Sequence, residues 1–122
     1  MYEKFWEPFI LEGIEDDVGL WLIIGEVKEL YPNKNDSEIR IKTLKSIQNM
    51  LEQGLIEVGT YEFSDDKTLE FKTWGLDINN IIQRIDREWN QLQREPNIGD
   101  ICYVITSPKG KQEAEKILQE KG

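Results

Sequence analysis

Two apolar rhythms alternate along the chain, one of three or four residues and one of two. Tyr2, Phe5, Trp6, Phe9 and Ile10 open it at helical spacing, with Pro8 interrupting. They predict a short helix or turn that packs its aromatics onto the body; an arm that protrudes toward a partner is the other reading. Next, Val18, Leu20, Trp21, Leu22, Ile23, Ile24, Val27 and Leu30 leave almost no polar face, so the helix predicted there is central and buried. Asp16 or Asp17 caps it and Pro32 closes it. Gly19 and Gly25 lower its propensity and suggest close approach by a neighbouring element.

Asn35 with Glu38, or Ser37, supplies the following cap. Leu44, Ile47 and Leu51 share one face, but the same phase carried backward turns Ile39 outward and Arg40 inward. That mismatch predicts a separate short turn of helix near 37–41, then a main helix from 42 to 53 stopped by Gly54. The period then changes to two. "LIEVGTYEF" and "TLEFKTW" flank the polar turn Ser64-Asp65-Asp66-Lys67 and predict a β-hairpin. Ile78, Ile81, Ile82, Ile85, Trp89 and Leu92 return to helical rhythm over 78–93, with Asp77 as cap and Pro96 as stop. "IGDICYVITS", entered by a turn at Gly99 and Asp100, is apolar on both faces and predicts a central strand. Thr106 or Ser107 caps a last helix that starts at Pro108 and buries Ala114, Ile117 and Leu118.

The order helix, short helix, helix, strand–turn–strand over residues 18–74 resembles a winged-helix domain, with "MLEQGLIEVGTY" at the join of recognition helix and wing. "YVITSPKGKQEAEKIL", within 99–118, resembles the strand-to-helix segment that follows the wing in several winged-helix regulators. More specifically, "LYPN…TLKSIQNMLEQGLIEVG…W…EW…PNIGDICYVITSPKG" resembles a group of small bacterial winged-helix-like proteins. The resemblance implies an α+β fold, a single winged-helix-like domain over 1–122 with a β-hairpin wing, an inserted amphipathic helix and a C-terminal strand-helix. It implies no activity. The chain departs from DNA-reading members in its shortened second helix, its "SDDKT" wing tip and the insertion of helix 78–93.

Composition narrows the function. At 122 residues the chain is one domain on length alone. It has no histidine, which removes Ser-His and Cys-His nucleophiles, the usual zinc sites and the commonest general base. It also lacks phosphate-binding glycine loops and calcium-loop spacing. A non-enzymatic protein with no catalytic, metal or cofactor-binding residues is expected. A lone cysteine, Cys102, excludes an internal disulfide and reads as a buried thiol. An acidic, aromatic N-terminus and the absence of a long apolar run predict a cytoplasmic protein with no membrane contact. Trp74 and Trp89 read as packing partners beside the wing, with a pocket between them as the alternative.

Charge decides between the remaining classes. The net charge is −9, and residues 1–33 hold eight acids against two bases. Glu12, Glu15, Asp16 and Asp17 complement a helix N-terminus and also make an acidic face; Asp65 and Asp66 form the hairpin turn and a second acidic contact. Together they point to docking of a basic protein partner, in the manner of an immunity protein or antitoxin against a cationic nuclease. The other reading is a transcription regulator that reads DNA with the outward face of helix 42–53. There Lys42 and Lys45 suit phosphates while Ser46, Asn49 and Gln53 suit base edges. The net charge disfavours nucleic acid, because such binding rests on neutralising phosphates. Monomer and dimer both remain open.

Overall fold

A computed structural model describes residues 18–97 and 100–121. The N-terminal aromatic segment, the acids Glu12, Glu15, Asp16 and Asp17, and Gly99 lie outside the described residues. The elements run β1 (Val18–Gly19), α1 (Leu20–Leu30), α2 (Asp36–Glu52), β2 (Ile56–Phe63), β3 (Leu69–Thr73), α3 (Ile78–Leu92), β4 (Tyr103–Thr106) and α4 (Pro108–Lys121). The strands form one antiparallel sheet in the order β1-β4-β2-β3. The class is α+β, as the resemblance implies.

The sheet turns one face to the helices. Val18, Ile56, Val58, Val104 and Thr106 share that face by register and are buried. They join Leu20, Ile23, Ile24 and Val27 of α1, Ile39, Ile47 and Met50 of α2, and Ile81, Ile85 and Trp89 of α3 in one core. α3 keeps the predicted cap, with Asp77 Oδ1 accepting from Asn80 N–H at 2.8 Å, but ends at Leu92, where Gln93 takes a left-handed conformation. Arg40 ties α2 to α3. Its Nε and Nη2 donate to Asp86, and its guanidinium lies 5.2 Å above Trp89.

Several expectations need correction. Val18 and Gly19 form β1 rather than the start of a helix, and α1 is capped at Gly19 with no side-chain cap. The close approach of a neighbouring element expected at the two glycines is not seen: at Gly19 the space a Cβ would fill is taken by the indole of Trp21, two residues along the chain, and Gly25 has nothing near it. Leu22 and Leu30 are exposed, so α1 is amphipathic rather than apolar all round. α2 is one continuous helix from Asp36, capped by Asn35 Oδ1 accepting from Glu38 N–H at 2.9 Å, and no break separates 37–41 from the rest. Its buried stripe is Ile39, Thr43, Ser46, Ile47 and Met50. Thr43 and Ser46 belong there because their hydroxyls donate to the carbonyls of Ile39 and Lys42, at 2.8 and 2.7 Å. With those two polar residues included, Ile39 falls inside and the apparent phase break disappears.

Gly54 ends α2 with φ +72°, a conformation that costs any residue with a Cβ. Ser107 then caps α4, accepting from Gly110 N–H at 3.0 Å, while its own N–H donates to Leu55 O at 2.9 Å. One residue thereby anchors the last helix to the α2–β2 junction. Ala114 is buried as expected, whereas Leu118 is exposed. The final strand is shorter than its apolar run, because Ile101 has φ +65° and Cys102 N–H donates to Asp100 O at 2.8 Å. That tight γ-type turn sets the start of the ladder at Tyr103, with the Cys102 carbonyl before it accepting from Leu20 N–H at 3.2 Å.

Candidate protein-docking surface on the outer sheet face

The side of the sheet away from the helices carries a surface built from strand alternation. Ser64 N–H donates to Thr68 O and Trp74 N–H to Val58 O, which fixes the hydrogen-bonded pairs of the β2–β3 ladder. Between them, Phe63↔Leu69, Tyr61↔Phe71 and Gly59↔Thr73 are the non-hydrogen-bonded pairs, whose side chains stand closest and on one face. Gly59 also faces Tyr103 of β4, which faces Gly19 of β1. The two glycines leave room for rings. Trp21 lies over Gly19 and meets Tyr103 edge-to-face at 5.7 Å; Tyr103 meets Tyr61 at 5.1 Å, and Tyr61 meets Phe71 at 5.6 Å.

The row is anchored at its inner end and open at its tip. Phe63 is 76% exposed and Leu69 57%, a paired apolar tip with no ring packed on it among the described residues. The opposite face of the same hairpin is acidic. Glu62 stands directly across from Glu70, a like-charge pair that costs rather than stabilises. Lys72 Nζ approaches Glu70 at 2.9 Å and relieves part of that repulsion; Glu70 in turn raises the lysine's pKa above its ordinary value.

The two turn carboxylates do different work. Asp66 Oδ1 accepts from the hydroxyls of Ser64 and Thr68 and from Thr68 N–H, the last at 3.1 Å. The Ser64 hydroxyl bond is the largest of the influences that hold its pKa down to about 2. A depressed acid stabilises the fold only while ionised, so this contribution is complete above 3.8 and is lost as pH falls through about 2. Asp66 is therefore committed to the turn. Asp65 is exposed and forms no hydrogen bond or ion pair among the described residues, so its carboxylate, unlike that of Asp66, is not engaged in the turn.

The chain matches no protein-family model, no curated protein and no solved structure. The chemistry must therefore be read from this surface and its rivals. The α2 set does not form one outward face. Lys45, Asn49 and Gln53 are exposed, with the Gln53 amide donating to Asn49 Oδ1, but Lys42 is half-buried with its ammonium 4.1 Å above Tyr31, and Ser46 is only 8% exposed. Glu52, which accepts from Gln48 at 3.0 Å, adds a carboxylate to the same end of the helix. Trp74 and Trp89 each lie under an arginine, Arg84 at 3.9 Å and Arg40 at 5.2 Å. A cleft of about 310 Å³ beside Trp89 is lined by Asp36, Arg40, Asn90 and Arg94 and not by Trp74. Burial pushes the Cys102 thiol up to about 12, which leaves it unreactive. Among the described residues no group of acids and thiols could hold a metal, and no helix is long and apolar enough to cross a membrane.

The exposed tip was readable in the sequence. Once the turn is placed at 64–67, alternation puts Tyr61, Phe63, Leu69 and Phe71 on one face.

Proposed function

We propose that this chain is a protein-recognition domain that docks a basic partner protein on the tip of its β2–β3 hairpin. The observation that carries the reading is an apolar pair, Phe63 and Leu69, exposed on one face of a hairpin whose other face sets Glu62 against Glu70. Both features cost the isolated domain, one in exposed apolar surface and one in like-charge repulsion, and both are relieved by a partner that brings apolar surface and positive charge. An immunity- or antitoxin-like role, in which the bound protein is a cationic one held inactive, is its most concrete form. In a winged-helix-like description the hairpin after α2 would be the wing, turned to protein contact, although the separate short second helix of that pattern is merged into the continuous α2.

Electrostatic steering gives the test. Asp65→Lys with Glu62→Lys reverses two tip charges, spares Asp66, and sets an opposite charge across from Glu70. Association with the partner is expected to slow by roughly tenfold at low salt. The difference should shrink as salt rises, because exposed charges are screened within about 8 Å at physiological ionic strength. An on-rate indifferent to both salt and reversal would remove the electrostatic part of the proposal.

A second reading rests on the exposed row Lys45, Asn49 and Gln53, which suits a DNA groove. The flanking carboxylates and the net charge of −9 oppose it. We expect no duplex complex tighter than about 1 μM at physiological salt, since non-specific affinity comes from phosphate neutralisation. A nanomolar complex in gel-shift titration, lost with Lys45→Glu, would put this reading first.

A further inference from the structure

β3 is the outermost strand of the sheet and pairs with β2 alone among the described strands. The ladder that turns Glu70 and Lys72 backbone groups toward β2 turns those of Leu69, Phe71 and Thr73 outward. This edge carries the sequence Leu-Glu-Phe-Lys-Thr, which is self-complementary when laid antiparallel on itself. We propose that β3 pairs edge to edge with β3 of a second copy of this chain, about a two-fold axis at Phe71. This goes beyond the recognition reading: it shares Leu69 and Glu70 with the tip surface but rests on the outward backbone edge of β3 rather than on the exposed side chains of the tip.

The register follows from charge and backbone together. With Phe71 opposite Phe71 of the second copy, the three outward-facing residues of each strand meet outward-facing residues of the other, so both sets of backbone groups are satisfied. Glu70 then faces Lys72 of the second copy, twice, on the polar side, while Leu69, Phe71 and Thr73 line the aromatic side. The neighbouring registers that keep the same backbone phase are centred on residue 70 or 72. They would set Glu70 against Glu70 or Lys72 against Lys72, and like charges directly opposite are unfavourable. The lysine thus blocks indiscriminate edge pairing and selects one mate.

Two copies at −9 repel at long range, but that field is screened within about 8 Å. Cross-strand partners at residues 70 and 72 would sit closer than that, with Cβ atoms about 5 Å apart. Antiparallel pairing sends the two hairpin tips in opposite directions, so Phe63 and Asp65 of both copies stay open to a partner. A failure here leaves the tip proposal intact, and a failure of the tip leaves this edge intact.

A charge exchange tests it on the full chain, read as mass against concentration by sedimentation or light scattering. The native chain is expected to show a concentration-dependent monomer–dimer equilibrium. Glu70→Lys alone, or Lys72→Glu alone, should weaken it at least tenfold, because like charges then oppose at both positions. Mixing the two single variants in equal amounts should restore a dimer, since each supplies the charge the other lacks. The double exchange should dimerise as the native chain does. Rescue on mixing excludes misfolding as the cause of the losses, which thermal melts of the single variants check independently. A native chain that stays monomeric to about 1 mM, a concentration sensing even millimolar affinity, would overturn the proposal. So would single variants that dimerise undiminished, or a mixture that shows no recovery.

Discussion

Ile85→Asp is expected to abolish cooperative unfolding at the native temperature. Ile85 is fully buried in α3, in the core shared with α2 and the sheet. An aspartate there either buries a charge without a partner or takes up a proton to remain neutral, and both alternatives add to the loss of apolar packing. The cost should be about 4 kcal/mol or more, against a total stability of roughly 5–15 kcal/mol for a domain of ordinary stability. Ile82, half-buried on the same helix, gives the internal control. Ile82→Asp should cost visibly less, because its side chain can turn toward water. Thermal melts followed by circular dichroism decide the matter; an unshifted transition for Ile85→Asp would mean that α3 does not close the core.

That helix is also where sequence and structure agree best, and the reason is physical. α3 has apolar residues at unbroken helical spacing and a side-chain cap at Asp77, so local and tertiary preferences point the same way. α2 was harder because its buried stripe contains Thr43 and Ser46, which satisfy their hydroxyls within the helix. A hydrophobic template counts such residues as polar and shifts the phase, and that shift turned Ser46 outward and broke one helix into two. β1 is two residues long, too short for any period to register, and is defined only by its pairing with β4. The turn at Ile101 places a β-branched residue at positive φ, which no local preference anticipates. The tip surface falls between these cases. Its alternation is plain in "TYEF" and "LEF", but its meaning depends on a fact only the fold supplies, that β2 and β3 run on past β4 and leave Phe63 and Leu69 without a covering layer.

The second large effect is expected at that tip. Phe63→Ser with Leu69→Ser should leave the thermal transition nearly where it was, since exposed side chains contribute little to the folded state. The same change should weaken partner binding severely. Apolar anchors that become fully desolvated at an interface typically contribute 2 kcal/mol or more each, so roughly a thirtyfold loss is expected from Phe63→Ser alone. The loss should appear chiefly as faster dissociation, whereas the tip charge reversals act on association. The two kinds of variant therefore separate the apolar contact from the charge that steers it.

Affinity capture from the native host, run in parallel with the native chain, the Phe63→Ser/Leu69→Ser chain and a Lys45→Glu/Asn49→Ala chain, tests the central claim most directly. The account predicts that the native chain and the α2 variant retain the same basic protein and that the hairpin variant loses it. Retention of that protein by the hairpin variant, its loss from the α2 variant alone, or capture of nucleic acid in its place would contradict the account.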